Sequence, residues 1–194
     1  MSVRVCALAS GSSANALLIG VEESHLLVDA GLSFRETKRR LADVGCSPAH
    51  IDAIFVTHEH SDHIGGLGPV ARGLGVPVYM NEATYSQCES TVGKLPAVEM
   101  FETGGTVQHG PFSVTSFVVS HDAADPVGFC VSVNGLKIGV TTDLGYVSGL
   151  VKQRLKGCDV LVLECNHDNA MLVTGSYPWE LKQRIQSRHG HLSN

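Results

Sequence analysis

Between positions 58 and 63 the chain reads H-E-H-S-D-H, three imidazoles and two carboxylates within six residues. Side chains at i and i+2 of an extended segment point the same way, so His58 and His60 can grip one cation together. Asp62 and His63 follow on the turn into a helix and can reach a second position nearby. Neutral imidazole and carboxylate suit zinc, manganese or iron. A lone H-x-H reads as a polar turn with surface histidines. H-x-H-x-D-H after the buried run I-D-A-I-F-V, with Gly65-Gly66 behind it to allow tight packing, reads as a metal site.

The elements that must carry this cluster follow from the rest of the pattern. The chain has 194 residues, enough for one domain spanning 1–194 with a sizeable core. Short apolar strands come early, in VRVCALA, NALLIG and HLLVDA. A helix over about 33–44 follows, with Ser33 and Glu36 spaced as a capping box and Phe34, Leu41 and Val44 on one face. Then come strand AIFVT, a helix around 64–74, strand PVYM and a helix in the 80s. After 105 strands dominate: FSVTSFVVS, GFCVSV and LKIGVTTD, the last two joined by Asn134-Gly135, a strong hairpin signal. A helix near 146–156, strand DVLVLEC and a helix near 177–188 complete the order. Strands flanked by helices predict two packed sheets with helices outside.

Composition sets limits. Hydrophobic residues make up 43% and charged residues 17%, with net charge −5, so no global basic field announces nucleic acid. No apolar run approaches the ~18 residues of a membrane span. The six cysteines hold no C-x-x-C pair, which predicts buried reduced thiols and a cytoplasmic protein. His25, His50, His109 and His189 read as surface or turn residues. Basic residues cluster at Arg35, Lys38, Arg39 and Arg40, at Lys152, Arg154 and Lys156, and at Lys182, Arg184 and Arg188. Each cluster alone reads as a solvated helix face.

The run His58-x-His60-x-Asp62-His63 after a strand resembles the signature of the metallo-β-lactamase fold superfamily. The resemblance continues through Asp29 in LLVDAG, His121 in VVSHDAADPVGF and Asp143 in IGVTTDLG. It implies an α/β (α+β) fold, an αββα four-layer sandwich. It implies that His58, His60 and His121 hold a first metal, that Asp62 and His63 belong to a second, and that Asp143 bridges them. Two cations about 3.5–4 Å apart share a bridging water and make hydroxide available near neutral pH. A histidine at position 60, where redox di-iron members carry a carboxylate, favours hydrolysis.

The fold alone does not fix a substrate. Glu164 in LVLECNHD and His191 in GHLSN resemble the nuclease and phosphodiesterase branch that includes tRNA 3′-processing endonucleases. There a strand-borne glutamate orients a histidine that assists at the scissile phosphate. His167 lies three residues after Glu164 and reads as a second candidate near the site. Together with the opening LASGSSANALLI, these stretches look closest to the YycJ/WalJ-like branch, whose members are regarded as DNA exonucleases. The resemblance implies a two-metal phosphodiesterase acting on DNA in the 5′→3′ direction, with Ser10, Ser12, Ser13 and Asn15 as a phosphate loop. That branch shows S-G-S-S-G-N where this chain has Ala14. An ordinary turn of small residues competes with the phosphate-loop reading. The alternative function is a small-molecule metallohydrolase acting on a thioester, lactone or cyclic nucleotide. A metal-bearing binding module without activity is a third. Oligomeric state is left open by the sequence.

One further histidine is implied for the second metal. Either His191 is that ligand, or it supports catalysis and the chain stops before the last ligand strand. The second is preferred, because GHLSN follows a helix directly. The sequence therefore predicts a domain lacking its C-terminal segment.

Overall fold

The computed structural model describes residues 2–194. Six strands make the first sheet: β1 (Val3–Ala9), β2 (Ala16–Val21), β3 (Ser24–Val28), β4 (Ile51–Phe55), β5 (Val78–Met80) and β6 (Val98–Met100), in that spatial order. The first three run antiparallel, and β3 through β6 are parallel. Five strands make the second: β7 (Thr106–His109), β8 (Phe112–Val118), β9 (Val127–Val133), β10 (Leu136–Thr141) and β11 (Val160–Leu163), ordered β11-β10-β9-β8-β7. The helices are α1 (Phe34–Asp43), α2 (Ser61–Ile64), α3 (Leu67–Leu74), α4 (Glu82–Val92), α5 (Gly149–Leu155), α6 (Asn169–Thr174) and α7 (Trp179–Ile185).

Side chains alternate across a strand, and here the alternation divides the core in three. From β2, Leu17, Ile19 and Val21 face the second sheet, where they meet Phe112, Phe129, Val131 and Val140. Ala16 and Leu18 of the same strand face the other way, toward Leu41, Leu67, Val70 and Cys88 of the helices. On the far side, Phe117, Val119 and Cys130 pack on Leu144 and Val151. Strands buried on both faces between two helical layers are the αββα sandwich that the sequence led us to expect.

Local signals explain most boundaries. Ser33 caps α1 by accepting from the Glu36 amide at 3.3 Å. The capping box is only half formed, because the Glu36 carboxylate turns to Arg39 and Arg40 at 2.7 and 2.8 Å. Asn134 and Gly135 both take positive φ, 50° and 77°, as a tight turn between twisted strands requires. The single helix expected over 64–74 is instead α2 and α3, separated at Gly65-Gly66. A Cβ at Gly66 would lie 1.7 Å from the Leu32 carbonyl oxygen, so the metal-loop segment approaches the 30s loop as only glycine permits. Strands β6 and β7 and helix α6 were not anticipated; they span three, four and six residues, too short for a periodic signal.

His25 is a correction: it is buried, not a surface residue, and stacks on His50 with ring centroids 6.1 Å apart. It sits on β3, inside the first sheet, where the residues flanking it are covered by β2 and β4. All six cysteines are free thiols. No helix among the described residues is long and apolar enough to cross a membrane.

Candidate metal centre

The site forms where several strands end. His58 and His60 follow β4, and His60 is the N-cap of α2, which carries Asp62 and His63. His121 lies in the loop after β8, and Asp143 just beyond β10. Glu164 follows β11 directly. Residues from both sheets thus meet at one end of the sandwich.

Three overlapping groups have donor atoms within 4.8 Å of one another: His58, His60 and His121; His58, His63 and Asp143; and His121, Asp143 and His191. The His60 Nδ1 and His121 Nε2 atoms converge to 3.2 Å. Asp143 turns its two oxygens to different neighbours. Oδ2 lies 3.0 Å from His63 Nε2, and Oδ1 lies 3.8 Å from His121 Nε2. Asp62 Oδ2 lies 3.4 Å from His63 Nε2.

Asp29 governs the ring orientations from behind. It is buried and takes φ +63°, the left-handed region that few non-glycine residues adopt. Its carboxylate accepts from the Thr57 amide at 2.8 Å, from the Thr57 hydroxyl at 2.9 Å and from His63 Nδ1 at 2.7 Å. The Thr57 hydroxyl has one hydrogen, which Asp29 takes. His58 Nδ1, 3.0 Å away, therefore donates to that oxygen, and the lone pair of His58 stays on Nε2. His121 Nδ1 donates to the Gly190 carbonyl at 3.2 Å, which likewise leaves Nε2 as the acceptor.

Electrostatics sets the charge states of the cluster. Burial, with His63, His121 and His60 nearby, pushes His58 down to about 2, so its ring is neutral. Burial also lowers His121. Burial opposes ionisation of Asp143, but His63, His58 and His121 beside it hold its carboxyl well below the usual range. Burial likewise works against charge on His63, yet Asp29, Asp143 and Asp62 keep it well above its ordinary value. His58 Nε2 is buried and has no hydrogen-bond partner. An orphaned lone pair is costly in a protein interior, and a cation shared with His60 and His121 relieves it. The residues fit divalent metal ions.

His191 Nδ1 lies 2.5 Å from Glu164 Oε1 and 3.5 Å from Asp143 Oδ1. Glu164 Oε2 accepts from the Leu144 and Leu192 amides at 2.8 and 3.2 Å, which holds the carboxylate in place. His191 thus lies beside the Asp143 carboxylate and belongs to one of the three groups that could hold a metal ion. His167 is joined through its backbone to the segment after His191, accepting from the Asn194 amide at 2.9 Å, and its Nδ1 is buried without a hydrogen-bond partner. In the Ser10–Asn15 loop, Ser10, Ser12 and Ser13 are exposed, whereas Asn15 turns inward to Asp62 and His63.

Three contributors lay outside the sequence reading. Thr57 relays Asp29 to His58. The Gly190 carbonyl fixes His121. Asp122, next to His121, binds Arg184 of α7 through its Oδ2 at 2.7 Å, while its Oδ1 lies 3.4 Å from His121 Nε2. Backbone carbonyls and a threonine carry no chemical signature in a sequence. Asp122 was visible only as the residue after a candidate ligand. The basic cluster on α1 turns elsewhere, since Arg39 pairs with Glu36 and Asp43 and Arg40 with Glu36 and the Leu8 carbonyl.

Comparison with known proteins shows the family. Residues 24–194 match the family described as "Beta-lactamase superfamily domain". The chain is 43% identical over 196 residues to exodeoxyribonuclease YycJ of Bacillus anthracis, covering all of this chain and 74% of that protein. It is 42% identical over 191 residues to exodeoxyribonuclease WalJ of Streptococcus pneumoniae, covering 96% of this chain and 71% of that one. Among solved structures, the metallo-beta-lactamase fold protein YhfI from Bacillus subtilis superposes with a TM-score of 0.78 at 20% identity, over 100% of this chain and 78% of that one. Zn(2+)-bound PqqB from Methylobacterium extorquens gives 0.73 at 19% identity, over 92% and 68%. With its two-sheet architecture and its histidine-aspartate centre, the chain belongs to the beta-lactamase superfamily and has the metallo-β-lactamase fold.

Proposed function

We propose that this chain is a two-metal phosphodiesterase that degrades DNA from the 5′ end, working in the cytoplasm with zinc or manganese. The observation that carries the reading is the Glu164–His191 pair set against Asp143. The names of the YycJ and WalJ relatives support DNA as substrate.

His58, His60 and His121 would hold one cation, Asp62 and His63 the other, with Asp143 between them. Cations there supply an acidified water and positive charge for phosphate oxygens. The protein does the rest. Glu164 accepts from His191 Nδ1, fixes the ring and raises its proton affinity above the ordinary value, while burial works against that. An imidazolium so held donates to a phosphate oxygen or to the departing oxygen, a contribution of order 10²–10⁴ in rate. Exposed Ser12 and Ser13 offer hydroxyls for a terminal 5′-phosphate.

The test is a nuclease assay with manganese or zinc on 5′-phosphorylated and unphosphorylated DNA, beside a bis-aryl phosphodiester. His60→Ala and Asp62→Asn should abolish both hydrolyses while circular dichroism stays native. Ser12→Ala with Ser13→Ala should remove only the preference for the 5′-phosphate. Near-normal turnover by folded His60→Ala protein would sink the reading.

A further inference from the structure

The loop Ser10–Asn15 lies against the metal centre, and three of its six backbone amides are engaged. The Gly11 amide donates to Asn15 Oδ1 at 3.1 Å, the Ala14 amide to the Gly11 carbonyl at 3.1 Å, and the Asn15 amide to the Asp62 carbonyl at 2.7 Å. The Asn15 carbonyl accepts from the Gly31 amide at 2.9 Å. These bonds make the loop a bracket that fixes one side chain, while Ser12 and Ser13 stay exposed.

That side chain is Asn15. Its Oδ1 is held by the Gly11 amide, and its Nδ2 donates to the Gly11 carbonyl at 3.2 Å. The amide therefore cannot turn over without losing both bonds. Its Nδ2 also donates to Asp62 Oδ2 at 2.9 Å and stands 3.0 Å from His63 Nε2. His63 donates through Nδ1 to Asp29, which leaves Nε2 as the atom that would take a cation once it gives up its proton. The two hydrogens of the Asn15 amide go to the Gly11 carbonyl and to Asp62, so a cation at His63 Nε2 would leave both bonds in place.

We propose that Asn15 is the positioning residue of the second metal site: its anchored amide donates to Asp62 Oδ2, the oxygen beside His63 Nε2, and fixes that carboxylate toward the place of the cation. Hydrogen-bonded partners behind a ligand orient it and cost metal affinity when lost, commonly 10–100-fold. Asp62 is the ligand that most needs such a partner. It is partly exposed at the start of the short helix α2, whereas His63 is already fixed by Asp29. The inference rests on the two-cation reading given above, and the test separates the two.

The full chain is freed of metal, and Mn²⁺ is added in a calorimeter. The wild-type chain should show two binding events. Asn15→Ala should weaken the second about 10–100-fold and leave the first, at His58, His60 and His121, unchanged. The first event is the internal control, because a loosened fold would weaken both. In an Asp62→Ala background, Asn15→Ala should cost nothing further, since it acts through a carboxylate no longer there. Asn15→Ser is too short to reach Asp62 but keeps an oxygen beside Gly11, and it should reproduce the Asn15→Ala result if the latter folds poorly. Equal weakening of both events, an additive loss in the double variant, or unchanged binding in folded Asn15→Ala would each overturn the proposal. A single event in the wild-type chain would overturn the two-cation reading, and this inference with it.

Discussion

His191 links two carboxylates from different strands. Its Nδ1 stands 2.5 Å from Glu164 Oε1 and 3.5 Å from Asp143 Oδ1, so one ring connects the end of β11 to the group between the two histidine sets. A neutral glutamine at 164 can neither raise the proton affinity of the ring nor hold its tautomer. Glu164→Gln is expected to lower kcat on a phosphodiester about tenfold, and His191→Ala about 100-fold or more. Metal content measured by elemental analysis should stay unchanged in Glu164→Gln.

Asp29 is the hub behind the ligands. Asp29→Ala leaves the Thr57 amide, the Thr57 hydroxyl and His63 Nδ1 without their acceptor in a fully buried place. Removing one partner of a buried charged network costs about 3–5 kcal/mol. Asn tolerates the left-handed φ that Asp29 adopts, so Asp29→Asn should be the milder change. Urea unfolding of the metal-free chains would rank the two, and equal midpoints for Asp29→Ala and wild type would contradict this role.

Thiol chemistry should follow burial. Burial, with Glu59 nearby, pushes Cys88 up to about 11, while Cys165 is exposed. The thiolate is the reactive form, so at pH 8 Cys88 is almost wholly protonated and becomes reactive only as pH rises toward its raised value. Iodoacetamide on the native chain should label Cys165 first and spare Cys88, as read by peptide mass spectrometry.

Arg184 is the member of the basic clusters that the fold brings to the metal centre. Its side chain is well exposed, yet Asp122 anchors it beside His121. A cation in that position suits a phosphate of the bound strand. Arg184→Ala is expected to weaken DNA binding several-fold and to reduce the log–log salt slope by about 1. Turnover of a bis-aryl phosphodiester, which has no flanking phosphates, should change little.

Legibility in the sequence tracked periodicity and chemical type. Strands such as VRVCALA and NALLIG announced themselves because alternating apolar side chains must fill two cores at once. The hairpin at Asn134-Gly135 was readable because only such residues accept two successive positive φ values. The H-x-H-x-D-H segment was readable because few other roles call for so many donors in one turn. What escaped had no local code. The division of α2 from α3 depends on how closely Gly66 approaches Leu32, a contact across 34 positions. The burial of His25 depends on its neighbours in the sheet. The inward turn of Asn15 depends on Asp62, 47 residues away.

The candidate metal ligands come from chain segments that otherwise belong to separate layers. His58, His60 and His63 ride on the first sheet, His121 and Asp143 on the second. A cation held by both sets would act as a reversible cross-link, closing a loop between His58 and His121 that the unfolded chain leaves open. Its binding free energy is then folding free energy. At a free concentration about 1,000 times its Kd, a single site adds about 4 kcal/mol, which raises the melting temperature of a chain this size by roughly 10 °C. Chelator should therefore lower the melting temperature of the folded chain as well as stop its chemistry.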